Sequence, residues 1–254
     1  MPLKSGIETI LHRKFINFSF KAQNSHMGLL YKFKKKEEPE SLMPMYLYDE
    51  KDFDEIDAYI SEVFGNFDNV FHEIVSPDIH LDVCIIPPTD EDPYYKLVTM
   101  GAGAYEMNIP DKWKKYNLER AEYVIYVPKD WNLQSKDMKD YWPIKTLKNV
   151  ARLPIWCDTW LSFGHTTQAD EEVTPYASNT RFNSVVLDFC KNSQGEVQLK
   201  TSSGKTINFY QVIPLYPEEL RFKLDNNAET LFAVFDEKGI EYKVVNINRR
   251  SVIE

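Results

Sequence analysis

The sequence predicts an α+β fold, in which helices pack against one mixed and mostly antiparallel sheet. Strand-like and helix-like segments occur without the regular strand-helix-strand repeat of a parallel α/β protein. Two strand-like runs are joined by a short polar turn, which is typical of antiparallel neighbours. Hydrophobic residues make up 43% of the chain, with 15 Tyr and 15 Phe, and this composition favours a packed globular core over disorder.

The chain divides into a predicted N-terminal accessory segment, residues 1–45, and a main domain, residues 46–254. The accessory segment contains one candidate helix, over 7–14, and one alternating strand-like run, FINFSF. Pro39 and Pro44 interrupt the pattern before the main domain begins.

The clearest helix lies between Asp49 and Gly65. Phe53, Ile56 and Ile60 recur at helical spacing, so they form one apolar stripe. Acidic residues crowd the first turn, where the helix dipole favours them, and a glycine is a common stop. We expect the stripe to pack on the strands that follow.

Two strands are predicted next, over 79–86 and 94–100. Apolar residues alternate through most of the first run, which indicates a strand with one face on a core. A Pro-Pro pair ends it, because proline cannot donate a ladder hydrogen bond. The second strand ends at Gly101, where a positive φ carries little steric cost.

The remaining elements follow from the same signals. Residues 121–128 are apolar enough for a fully buried strand, and proline is well placed in the first turn of a helix. The predicted elements are the strand over 121–128, a helix from Pro143 to Pro154, a polar surface loop over 166–180, strands over 182–189 and 206–213, a hairpin within 196–211, a helix from Pro217, a helix over 228–235, and a final strand over 242–248.

Several blocks of sequence carry a family resemblance. They are HEIVSPDIHLDVCIIPPT and PYYKLVTMGAGAYEMNIP, followed in order by RAEYVIYVP, WPIKTLKNVARLP, DTWLSFGHT, NFYQVIPLYPEEL and VVNINRR. In this order they resemble the bacterial branch of the suppressor of fused (SUFU-like) family, from about Val70 onward. The resemblance implies that residues 46–254 form a SUFU-like domain that binds protein and is not an enzyme.

The resemblance also implies what such a domain binds. Eukaryotic members hold a transcription-factor peptide as an extra strand in a cleft, and the matched region here includes Ser162. Bacterial members are similar to predicted immunity proteins, which neutralise a cognate toxin that is often a nuclease. The expected partner is therefore a basic toxin domain, with a peptide strand, as in a regulatory module, as the alternative.

Charge and composition limit the other function classes. A net charge of -9 argues against direct binding of nucleic acid or an anionic membrane, and an acidic surface suits a basic partner. The chain has no run of 18 apolar residues and no long apolar N-terminal region, so a cytoplasmic protein is expected. Cys84, Cys157 and Cys190 are widely spaced and indicate buried thiols in a reducing compartment. No cofactor is predicted.

Partner-binding residues are predicted around the start of the loop at residue 166. Trp160 and His165 lead into this loop, aromatic side chains with a polar group are favoured in interface hot spots, and the carboxylates of Asp170, Glu171 and Glu172 would attract a basic partner. Phe163 and Gly164 are predicted because the resemblance to the peptide-binding relatives implies that the matched region includes them.

A cluster of ionisable residues precedes and enters the first strand: His72, Glu73, His80 and Asp82. Strand residues two apart point to the same face, so the last two should meet. We interpret the cluster as a structural network of hydrogen bonds. The alternative is a metal-dependent hydrolase that uses the cluster together with His165. No HExxH spacing and no recognisable nucleophile turn supports catalysis, so no catalytic or metal-binding residue is predicted.

Overall fold

The computed structural model describes residues 46–72, 78–170 and 172–253. The predicted accessory segment, 1–45, lies outside them. The helices are α1 (Glu50–Phe64), α2 (Met138–Cys157), α3 (Pro217–Asp225) and α4 (Ala228–Glu237). The strands are β1 (Asn69–Phe71), β2 (Asp82–Ile86), β3 (Tyr94–Met100), β4 (Ala121–Pro128), β5 (Thr166–Gln168), β6 (Ser184–Phe189), β7 (Lys191–Asn192), β8 (Gly195–Glu196), β9 (Gln198–Lys200) and β10 (Thr206–Leu215).

One sheet organises the domain. Its strand order is β1-β2-β3-β4-β10-β6-β5, and β9 pairs with the first residues of β10. Every pairing between these strands is antiparallel except that of β4 with β10. The predicted α+β class with a mostly antiparallel sheet is therefore confirmed.

Helices cover both faces of the sheet. On one face, Tyr210 and Val212 of β10 belong to the same apolar cluster as Trp142 of α2. On the other face, Phe209 packs in a cluster with Ile60 of α1. A third cluster, on this second face, joins β6 and β10 to α3 and α4. Because both faces are covered, β2 is buried along its whole length, and the expectation of a strand with one core-facing side was wrong.

Helix α2 differs from its prediction at both ends. It begins at Met138, where Asp137 caps it by accepting a hydrogen bond from the Lys139 N–H, and it continues past Pro154 to Cys157. Both prolines of the predicted helix lie inside α2. Each removes one backbone hydrogen bond, but buried α2 residues such as Trp142 hold the turns against the sheet.

Two other segments also differ from expectation. The predicted loop over 166–180 begins as strand β5, which pairs with β6. The predicted final strand over 242–248 is reduced to a single bridge between Tyr126 and Val244. Tyr242 and Val245 are buried under the helices and the sheet, so their apolar spacing reflects packing and not strand pairing.

Candidate functional site

The segment that links α2 to β5 carries most of the predicted partner-binding residues. His165 is 3% exposed and Trp160 is 9% exposed, and their rings meet edge to face with centroids 4.6 Å apart. The backbone N–H of Ser162 donates to Nδ1 of His165 over 3.2 Å. Burial lowers the pKa of His165 to about 4, and the charge of Lys223 acts in the same direction. A neutral imidazole therefore supports this segment from inside the protein.

Phe163 and Gly164, which lie between Ser162 and His165, set the path of the chain into β5. The ring of Phe163 stacks on Phe189, with centroids 4.8 Å apart and an interplanar angle of 4°. Gly164 has φ of +79° and donates its N–H to the Leu187 carbonyl over 2.8 Å. A positive φ favours glycine, so the turn that delivers the chain to the sheet depends on this residue.

Strand β5 is the terminal strand on one side of the sheet. Leu187 N–H donates to the His165 carbonyl, and Ala169 N–H donates to the Asn183 carbonyl. The backbone N–H and C=O groups of every second residue therefore point toward β6. By this alternation Thr166 and Gln168 direct their backbone N–H and C=O groups away from β6. No strand of the described residues pairs with that outer side.

The turn after β5 carries the acidic residues of the predicted site. The Asp170 carboxylate accepts hydrogen bonds from the Thr174 N–H, over 2.9 Å, and from its hydroxyl. Burial alone would raise the pKa of Asp170, but hydrogen bonds from Thr174, Val173 and Glu172 together outweigh burial, and the pKa lies below its ordinary value. Glu172 is exposed, and Glu171 lies outside the described residues. The open edge of β5 is thus followed directly by negative charge.

The other predicted cluster lies at the opposite side of the sheet. Asp82 is buried, and its two oxygens lie 3.1 Å from Nδ1 of His72 and 3.5 Å from Nε2 of His80. Both imidazoles reach solvent, with side chains 68% and 40% accessible. Glu73 lies outside the described residues. The structure therefore brings three of the four residues together around one carboxylate.

This arrangement separates the residues named for a hydrolase. Strands β3, β4, β10 and β6 lie between β2 and the segment of His165, which leads into β5, so Asp82 and this segment are roughly 24 Å apart at the usual strand spacing. Among the described residues, no group of three or more His, Cys, Asp or Glu side chains is placed to hold a metal ion. No helix among them is long and apolar enough to cross a membrane.

A buried carboxylate in the centre of the sheet was not predicted from the sequence. Glu122 of β4 is fully buried and accepts hydrogen bonds from Tyr48 Oη (2.7 Å), Thr99 Oγ1 (2.6 Å) and the N–H groups of Gly101 (2.9 Å) and Gly103 (3.0 Å). Burial raises its pKa although these bonds act in the opposite direction. The sequence feature that could have indicated it is a glutamate inside the otherwise apolar run AEYVIYVP.

Fold and site together define a three-layer α+β domain whose mixed sheet ends at β1 on one side and, beside an acidic turn, at β5 on the other. The same architecture appears in solved proteins of one family. The chain belongs to the suppressor of fused family: the family model described as suppressor of fused protein (SUFU) matches residues 77–250. The resemblance drawn from the sequence blocks is confirmed.

Bacterial proteins are among the relatives. Uncharacterized protein UU111 of Ureaplasma parvum serovar 3 is 22% identical over 219 residues, which cover 82% of this chain and 99% of that protein. The crystal structure of a putative SUFU homolog from Neisseria gonorrhoeae FA 1090 is 20% identical with a TM-score of 0.55, and the match covers 80% of this chain and 98% of the other.

Similar structures also come from the wider family. The crystal structure of the Sufu–Fu complex is 12% identical, with a TM-score of 0.56 and coverage of 79% of this chain and 91% of the other. Drosophila Suppressor of Fused is 12% identical, with a TM-score of 0.51, over 78% of this chain and 50% of that protein. At these identities the solved structures establish a shared fold.

Proposed function

We propose that this chain is a non-enzymatic protein-binding domain whose partner adds an extended segment to the open edge of β5. One observation carries the proposal: the outward backbone groups of Thr166 and Gln168 have no neighbouring strand among the described residues. An unpaired strand edge is a template for a strand from another chain. A structurally similar family member is known in complex with Fu, which is a precedent for partner binding by this fold.

The finer proposal concerns the identity of the partner. Residues 46–254 contain 35 acidic and 22 basic side chains, which gives a net charge of -13 for this part of the chain. Such a field attracts a basic protein and speeds its association. We therefore propose a cytoplasmic immunity protein that covers a basic cognate toxin, with a nuclease as the best-fitting class. Nucleic acid and membrane surfaces are not proposed as direct partners.

Co-expression tests the finer proposal. The chain would be produced together with a toxin encoded beside its gene, and growth and co-purification would be measured. Rescue of growth with a stable complex is the expected result. Neither rescue nor co-purification would count against an immunity role.

A substitution in β5 tests the edge itself. Gln168→Pro removes an outward N–H without removing a hydrogen bond to β6, so the fold should persist while strand addition is blocked. Gln168→Ala is the matched control, because it shortens the same side chain and keeps the N–H. We expect complex formation to be lost in the proline variant alone. Equal binding by the two variants, with unchanged circular dichroism, would place the partner elsewhere.

A further inference from the structure

Val173 has a backbone conformation that its residue type rarely adopts. Three described non-glycine residues have positive φ: Asn117, Asp158 and Val173, the last at +58°. Asparagine and aspartate tolerate this region, whereas a β-branched side chain there is an outlier. Val173 is also 37% exposed, which is high for a large apolar side chain.

Two neighbours hold the strained residue in place. Asp170 binds the N–H and hydroxyl of Thr174, so it fixes the backbone just after Val173. On the other side, Asn183 Nδ2 donates to the Val173 carbonyl over 3.2 Å. Because the Asn183 carbonyl also accepts the Ala169 N–H, the turn is tied to the end of the β5–β6 ladder. The conformation is therefore imposed by the surrounding structure.

The position of this residue suggests what its side chain does. Strained residues persist where neighbours over-determine them, and they cluster at binding and switch regions. Val173 lies in the turn that follows the open edge of β5, close in sequence to the carboxylates of Asp170 and Glu172. An exposed apolar side chain beside charged groups matches the apolar centre and polar rim of a protein interface.

We propose that Val173 is the apolar anchor of the β5 partner site, and that it fits a basic, extended peptide segment carrying an apolar residue opposite it. This inference rests on the proposed function, because it assigns a contact within the same edge. The charge of the turn supplies the complementarity: Asp170 and Glu172 would face lysine or arginine of the segment.

The strain has a test that needs no partner. In an ordinary loop a glycine variant is less stable than the alanine variant, because glycine has more freedom in the unfolded chain. At a position held at positive φ the order reverses. We expect Val173→Gly to melt about 2–4 °C above Val173→Ala. A glycine variant that melts at or below the alanine variant would overturn the strain argument.

The anchor role is tested with a display library of random 12-residue peptides selected on the full chain. Enriched peptides should contain lysine or arginine with at least one apolar residue, and Val173→Ala should weaken their binding about tenfold, since two methyl groups are lost. The control is Met138→Ala, because Met138 is also 37% exposed but lies at the start of α2. Affinities would be measured by fluorescence anisotropy.

The outcomes separate the two proposals. Enriched peptides that bind Val173→Ala as tightly as the native chain would overturn the anchor role and leave strand addition standing. Enrichment that disappears with Gln168→Pro but not with Val173→Ala would lead to the same conclusion. Absence of any enriched peptide would count against the proposed function and, with it, the anchor.

Discussion

Single residues explain why the glycine-rich turn after β3 has its sequence. The Glu122 carboxylate draws the N–H groups of this turn inward, so the backbone passes close to its neighbours. A Cβ at Gly101, where φ is +124°, would lie 2.0 Å from the His80 carbonyl oxygen, and one at Gly103 would lie 2.2 Å from the Tyr48 hydroxyl. The sequence suggested a positive φ at Gly101, but only the structure identifies the buried carboxylate that makes both glycines necessary.

Replacing this carboxylate should destabilise the fold. All the groups around Glu122 donate hydrogen bonds, which suits an ionised carboxylate, whereas the amide of Glu122→Gln would point an N–H₂ group at a donor. We expect the free energy of unfolding, measured with urea, to fall by about 2–4 kcal/mol. The partly exposed Glu119→Gln is the control. Equal stability of the two variants would mean that Glu122 is neutral in the folded protein.

His165 should make the stability of the protein depend on pH. Its pKa falls from about 6.5 in the unfolded chain to about 4 in the folded protein, so the unfolded state binds more protons between these values. The stability that the neutral imidazole contributes is therefore present above pH 6.5 and is lost as the pH falls toward 4. Between pH 7.5 and pH 5 the loss from this residue should be about 2 kcal/mol.

The variant His165→Gln isolates this contribution. Urea unfolding at the two pH values should show a smaller loss of stability for this variant than for the native chain. An identical pH dependence in the variant and in the native chain would contradict a buried neutral imidazole at position 165.

At the scale of elements, the sequence predicted those whose signals are local. Helix α1 follows from its own apolar stripe and its acidic first turn, and β3 and β4 follow from their apolar runs. The errors occur where packing decides the outcome. The prolines led to wrong predicted ends for α2, because packing of the buried side chains of that helix stabilises it by more than the two missing hydrogen bonds cost. The polar residues of β5 become a strand only because β6 lies beside them.

A buried ion pair is one of the contacts that link the C-terminal segment to α3. Arg249 donates a hydrogen bond of 2.6 Å to each oxygen of the Glu219 carboxylate, and both side chains are buried. The guanidinium also lies against the rings of Phe182, Tyr216 and Phe235. The two partners are 30 residues apart, so no local pattern could have predicted the contact.

Breaking this pair should release the C-terminal segment. Arg249→Ala leaves Glu219 buried without its cation, and we expect the free energy of unfolding to fall by about 3–5 kcal/mol, with faster proteolysis after residue 240. Arg250→Ala is the matched control, because its side chain is exposed and only one position away. If limited proteolysis and urea unfolding give the same result for both variants, the ion pair does not hold the segment.

At the scale of the whole molecule, the sequence predicted the fold class and family but not how the candidate site is assembled. Charge and the order of the motifs are visible along the chain. The open edge of β5 is not visible along the chain, because it depends on β5 being the last strand of a sheet whose other strands come from positions 69 to 215. For the same reason the sequence grouped His165 with His72 and His80, although strands β3, β4, β10 and β6 lie between them in the sheet.

The domain boundary proposed at residue 46 gives the last prediction. The described residues form three apolar clusters. Tyr46, the first of these residues, packs against Tyr105 with ring centroids 4.9 Å apart. A chain that starts at Met43 should therefore fold alone and melt within about 2–4 °C of the full chain, a difference of roughly 1 kcal/mol or less. Removing the basic leading segment would also make the protein more acidic, so association with a basic partner should become faster at low salt. Circular dichroism and stopped-flow mixing measure the two effects. Aggregation, or a much lower melting temperature, would show that residues 1–42 complete the core and that the chain is one unit from its first residues.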